Sequence, residues 1–282
     1  MTNQTEEYKA KAFEPRNLAF FFLLAFGITW IAVVLLGIFD PKMPASLTDA
    51  AILFFVFIGL PGAFGPTAAA FIITAITEGK LGVKALWIRF WNRNLSIKWF
   101  LVVLLFYDAF RLVANILARI IDGQTYPIVD LANPLWMIIP TFLQAFILSG
   151  LGEEFGWRGY ALPRFQAKWS ALTSSIIIGL IWASWHIPFF FIHNQPLYQR
   201  NFWEWVPLIL LSSIIYTWIF NNTKGSVLAA ALFHASFNSS VVLLPTHSSL
   251  WYYYGFLLFA LVLIVLVFGP KNLVRQKPEG IT

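Results

Sequence analysis

A few polar residues set in long apolar stretches are the first features that could do chemistry. Glu153, Glu154 and Arg158 stand in GLGEEFGWRGYALPRF, Trp182 and His186 in WASWH, and His234 and Asn238 in HASFN. Each pair or triplet repeats at an interval of four, which puts its members on one face of a helix. Glu154 and Arg158 can therefore neutralise each other. Glu153 lies about 100° further round the helix and is left without that partner. A carboxyl without a counter-charge in a dry setting is a candidate general base, and imidazole is the commonest acid–base group in enzymes. An asparagine amide can donate a hydrogen bond to a developing oxyanion.

Each group also has a purely structural use. The Glu–Arg pair could be a buried ion pair, a histidine could be a packed hydrogen-bonding residue, and an asparagine could join two helices. What favours chemistry is the coincidence of all three motifs at broadly similar depth. His234 lies about as deep in its segment as Glu153 does in its own, and His186 reads as deeper by about two turns. Asp108 and Arg111, one turn apart, are expected to pair. His193 and His247 fall at segment ends and read as interfacial residues.

The elements that must position these groups follow from composition. The chain has 282 residues, of which 59% are hydrophobic and 11% charged; a soluble domain carries about 25% charged residues. So few polar groups cannot cover a surface in water, and a bilayer is the solvent that fits. The 29 Phe and 13 Trp suit lipid interfaces. With no cysteine there are no disulfides and no thiolate metal sites. The net charge of +6 comes with no basic stripe or binding motif, so no nucleic-acid partner is expected.

An apolar helix of about 20 residues spans a bilayer. Eight such segments are expected, at roughly 17–39, 51–77, 99–121, 135–160, 172–192, 203–221, 225–244 and 250–268. The fold class is thus all-α, a polytopic transmembrane helical bundle. Residues 1–16 form an N-terminal tail, 17–268 a single transmembrane domain, and 269–282 a C-terminal tail. Pro61, Gly62, Gly65 and Pro66 should break the second segment. Residues 80–98 mix Lys and Arg with Trp and Phe, as a segment lying in the interface does. Basic residues concentrate in the tails and in alternate loops, which places both termini in the cytoplasm. A prokaryotic plasma membrane is the expected location.

Taken together, the motifs resemble the CPBP or Abi family of intramembrane proteases, which includes type II CAAX prenyl proteases. The family pattern is EExxxR, then FxxxH, then HxxxN. Here it is Glu153 to Arg158, Trp182 to His186 with Trp in place of Phe, and His234 to Asn238. The resemblance covers most of residues 60–245 and extends to Phe64-Gly65-Pro66 and Gly159-Tyr160. It implies that Glu153 and His186 hold and deprotonate a water molecule. The water attacks a peptide carbonyl, and Asn238, with His234 close by, stabilises the oxyanion. Glu154, Arg158 and Trp182 would be supporting residues, with the ring at Trp182 keeping a packing role.

The implied substrate is a peptide or membrane-protein segment, lipidated or not, and the only other partner is the lipid bilayer. No cofactor is expected. The alternative is one zinc ion on Glu153, His186 and His234, although no HExxH is present. Two rival functions share these residues. One is a non-catalytic membrane scaffold or immunity factor on the same fold. The other is a transporter using the acids and histidines as a proton relay.

Overall fold

The computed structural model describes residues 13–39, 60–91, 95–123, 125, 127–129, 135–193, 197–244 and 250–275. Eight main helices run through them, and among the described residues there is no strand. They are α1 (Pro15–Phe39), α2 (Gly65–Ile88), α3 (Ile97–Ile121), α4 (Leu135–Gln166), α5 (Ala171–Trp185), α6 (Phe202–Asn222), α7 (Val227–Ser239) and α8 (Leu250–Phe268). The chain is an all-α membrane bundle, with the helices following the expected segments closely. His247 and residues 51–59 of the second expected segment lie outside the described residues.

Polar residues at the helix starts explain where several helices begin. Ser96, Ser170 and Ser226 each accept a hydrogen bond from the backbone N–H three residues on, and Asn201 accepts from that of Trp203. These side chains satisfy donors that a first turn leaves free. The α6–α7 connection turns on Lys224 and Gly225, both at positive φ (54° and 77°).

Five helices, α1, α3, α4, α6 and α8, are long and apolar enough to cross a bilayer. α5 and α7 have 15 and 13 residues, so each is only about 20 Å long. Short 3-10 turns prolong them, at Ile187–Phe190 and Ser240–Val242. These two short helices carry the histidine motifs, and α7 packs against α3, α4 and α6 near the centre of the bundle. A short helix surrounded by longer ones ends within the bundle, so polar groups near its end meet other side chains instead of lipid.

The second segment departs from expectation in one respect. The turn Leu60–Ala63 is separated from α2 at Phe64, as the prolines and glycines predict. A further bend lies at Gly79, whose φ of 65° and ψ of −160° only glycine adopts readily. Beyond it the helix continues to Ile88, with Leu81, Trp87 and Trp91 exposed and Leu86 buried. That outward apolar flank is what a segment lying in an interface needs. Arg111 is buried, with its guanidinium over the Tyr253 ring at 4.9 Å.

Residues 270–273 fold back onto the bundle. The carbonyls of Lys271 and Pro270 accept from the N–H groups of Ala171 and Leu172 at the start of α5. Asn221 and Asn222 donate to the carbonyls of Asn272 and Leu273. The α4–α5 and α6 ends and the chain's last described segment are thus tied together.

Candidate active site

α4 is not a uniform α-helix. Residues Phe146–Leu151 and Phe155–Ala161 adopt π-helical hydrogen bonding, with a three-residue α-helical step, Gly152–Glu154, between them. Widened turns of this kind are rare and recur at functional sites. They also displace carbonyls from the usual ladder, and side chains of α2, its flank and α4 itself bond these. Thr67 donates to the Leu151 carbonyl at 2.7 Å, and Arg89 donates to that of Gly159. Arg164, paired with Glu78, donates to the Tyr160 carbonyl at 2.9 Å.

Glycines let α4 pack this closely. A Cβ on Gly152 would stand 2.4 Å from the Ala63 carbonyl oxygen, and one on Gly156 would stand 2.6 Å from Pro66. Gly152 and Gly156 form a GxxxG step that brackets both glutamates, the spacing that brings membrane helices into backbone contact. That signal was present in the sequence and identifies which helix faces the site from α2.

The two carboxyl groups are buried, Glu153 at 5% and Glu154 at 0% exposure. Glu154 Oε1 accepts from Arg158 Nη1 at 3.1 Å and lies 2.8 Å from His234 Nδ1. Arg158 is itself sandwiched, its Cζ 4.6 Å from the Trp182 ring centre and 4.2 Å from that of Tyr216. The rings stabilise the face of a guanidinium whose Nη2 has no acceptor among the described residues. Glu154 thus does more than pair with Arg158. As an acceptor it takes the Nδ1 hydrogen of His234 and so turns the ring's Nε2 toward Glu153.

That Nε2 stands 3.9 Å from Glu153 Oε1. The other oxygen, Oε2, accepts two indole N–H bonds, from Trp182 at 2.7 Å and from Trp157 at 3.2 Å. Trp157 was not among the residues singled out from sequence, because an indole in an aromatic-rich membrane chain carries no distinguishing signal. Trp182 was expected only to pack; it packs edge-on against His234 and Tyr216 and donates a hydrogen bond as well.

His186 caps the C-terminal end of α5 and lies half-buried one turn beyond Trp182. Its Nδ1 is 2.8 Å from the Trp182 carbonyl, so Nδ1 carries the proton and Nε2 is the acceptor. Trp185, Phe189 and Trp205 enclose its ring. Trp182 touches both His186 and Glu153, its ring centre 5.8 Å from that of His186 and its indole N–H bonded to Glu153 Oε2. The residue of α5 that bonds Glu153 directly is therefore Trp182, one turn before His186.

Asn238, one turn beyond His234, is half-buried and donates from Nδ2 to Ser149 Oγ at 3.0 Å. An amide nitrogen has two hydrogens, so one remains to be donated. Ser149 lies in the first π-helical stretch. The half-buried groups Asn238, Ser149 and His186 therefore border the fully buried cluster of Glu153, Glu154 and His234.

The zinc alternative would place the ion on Glu153 and on Nε2 of His186 and His234, because Nδ1 of each histidine is already hydrogen-bonded. A bond of this kind at Nδ1 is usual for a metal-ligating imidazole and does not oppose such an ion. Among the described residues no three His, Asp or Glu side chains are grouped to hold a metal ion.

Buried acids and histidines enclosed by apolar helices define an integral-membrane protein with the means for hydrolysis. Comparison with known proteins specifies which kind. Residues 134–240 match the family described as type II CAAX prenyl endopeptidase Rce1-like, a stretch that contains every candidate site residue. The chain is also 27% identical over 244 residues to CAAX prenyl protease 2 of Methanococcus maripaludis, covering 81% of this chain and 85% of that protein. The chain resembles the CPBP group of CAAX-protease-like enzymes and is a membrane-embedded endopeptidase, a hydrolase.

Proposed function

We propose that the chain hydrolyses a peptide bond in a membrane-associated or lipidated substrate, using a water molecule activated by Glu153 and histidine. The observation that carries this reading is the orientation of acceptors. Glu153 Oε1 and His234 Nε2 face each other, and His186 has its Nε2 as the free nitrogen. At 3.9 Å the Glu153–His234 pair is too far apart for a direct hydrogen bond and within reach of a bridging water. A water molecule has two hydrogens, enough for Glu153 Oε1 and one imidazole nitrogen, and is at the same time the nucleophile the reaction needs.

The sequence of steps follows from the residue chemistry. Water donates a proton to Glu153 as its oxygen attacks the substrate carbonyl carbon. The remaining Asn238 amide hydrogen meets the oxyanion, and His234, held by Glu154, lies beside it. The tetrahedral adduct then collapses, the C–N bond breaks, and the proton on Glu153 passes to the leaving amine. His186 borders the water from the end of α5. No metal ion takes part in this scheme.

The substrate class is drawn from the relative's name, a CAAX prenyl protease: a prenylated C-terminal peptide is the first substrate to test. A prokaryotic plasma membrane and cytoplasmic termini, the latter inferred from the distribution of basic residues, complete the proposal. Purified chain in liposomes should cleave a farnesylated CAAX peptide or membrane peptides from the host, and the Glu153→Gln variant should cleave neither. Cleavage by that variant at the wild-type rate would refute the scheme.

A further inference from the structure

The Glu153 carboxylate is asymmetric in its surroundings. Oε2 accepts indole hydrogens from two tryptophans that reach it from different helices, Trp157 one turn along α4 and Trp182 on α5. Among the described residues Oε1 has no indole donor, and it lies 3.9 Å from His234 Nε2. Both indoles are buried, at 0% and 1% exposure, so neither can turn away to find water. Trp157 is fixed by edge-on contact with Phe21 of α1 and Trp185 of α5, and Trp182 by contact with Tyr216 of α6. Three neighbouring helices therefore hold two donors on one oxygen atom.

Such an arrangement has a chemical consequence. A carboxylate is free to rotate about its last torsion, and that torsion has a broad minimum. Unrestrained, it would present either oxygen to a substrate. Hydrogen bonds to a charged acceptor are stronger than neutral ones, and two on the same oxygen fix which oxygen is left over.

Resting on the hydrolytic reading above, we propose that Trp157 and Trp182 are positioning residues forming a two-indole clamp on Oε2 of Glu153. The clamp makes Oε1 the oxygen that receives the water's proton. Indole suits this role because it donates one hydrogen, accepts none, and cannot itself take the proton in a dry site. Phenylalanine at position 182 would keep the ring and lose the bond. The charged or titratable groups facing Glu153 are His234 and Glu154.

The test separates the clamp from general packing and from the hydrolytic reading. Thermal unfolding in detergent is measured for Trp157→Phe, Trp182→Phe and the double variant, each in the wild-type and Glu153→Gln backgrounds. Trp185→Phe is the control, since its indole donates to the Ala25 carbonyl instead of a carboxylate. The expected result is a Tm loss for each clamp variant that shrinks to half or less in the Glu153→Gln background. The control should lose the same amount in both. If either clamp variant fails to fold, the other completes the cycle.

Turnover of the farnesylated CAAX peptide supplies the second readout. kcat should fall about tenfold for each clamp variant, the size expected for one charge-assisted hydrogen bond, with KM within twofold. Tm changes that are additive with Glu153→Gln, or a double variant with wild-type kcat, would overturn the clamp. Activity retained by Glu153→Gln would instead refute the hydrolytic reading, whatever the Tm cycle shows.

Discussion

His234 Nδ1 lies 2.8 Å from Glu154 Oε1, across 80 residues of chain. This contact turns an i, i+4 ion pair on one helix into a three-residue relay, Arg158–Glu154–His234. Arg158 holds the carboxylate and the carboxylate orients the imidazole. The imidazole then directs Nε2 at the second glutamate. One acid orients a histidine while its neighbour in sequence faces that histidine's free nitrogen, so the paired glutamates have different work.

Arg158 should be the most structurally expensive residue of the relay to lose. It is 1% exposed, and its removal leaves Glu154 as a buried charge with only a histidine for company. Arg158→Met should cost about 3–5 kcal/mol of stability, the range for breaking one side of a buried pair. Arg158→Lys should recover only part of this, since an ammonium cannot stack flat between Trp182 and Tyr216. Chemical or thermal unfolding in detergent measures both.

The helix contacts around the glutamates should be equally intolerant of bulk. Gly156→Val puts side-chain carbons where Pro66 already stands, and overpacking of a close contact costs about 1–3 kcal/mol. Because the same step carries Glu153 and Glu154, activity should fall further than stability alone explains. Comparing the unfolding midpoint with kcat at a temperature where the variant is fully folded measures the difference.

Much of the fold was legible because a bilayer imposes simple rules. Segment 250–268, for example, is uniformly apolar and forms α8 over those same residues. The pairing of Glu154 with Arg158 was equally readable, being a local interval on one helix. The rest depended on long-range geometry. The π-helical turns around Gly152–Glu154 have no periodicity signature, so the aim of each glutamate could not be derived from a standard helix. The bend at Gly79 was hidden among charged residues that an interface would accept with or without it. Trp157 and Ser149 acquire meaning only through what α5 and α7 bring to them.

Asn238 is predicted to act on the transition state and not on substrate binding. Asn238→Ala should lower kcat roughly 100- to 1,000-fold, the usual loss for one oxyanion donor, with KM little changed and folding intact. Its partner Ser149 offers a graded comparison. Ser149→Ala removes the acceptor that fixes the amide and should cost less than tenfold in kcat, since the amide itself remains. Steady-state kinetics on the farnesylated CAAX peptide distinguish the two.

Metal content gives an independent check on the water-activation scheme. Elemental analysis of detergent-purified chain should find far less than one zinc per chain, and chelators should leave cleavage unchanged. One zinc per chain, with activity lost on chelation and regained with zinc, would contradict the metal-free scheme and put the ion on Nε2 of the two histidines, whose Nδ1 atoms bond Glu154 and the Trp182 carbonyl.

The central claim is that a water activated by Glu153 cuts a peptide bond within the membrane. It is tested most directly by profiling membrane peptides from cells that carry either the wild-type chain or Glu153→Gln at matched abundance. The prediction is a set of cleaved C-terminal or membrane-proximal peptides present with the wild type and absent with the variant. Identical peptide profiles from the two, with both proteins folded in the membrane, would contradict it.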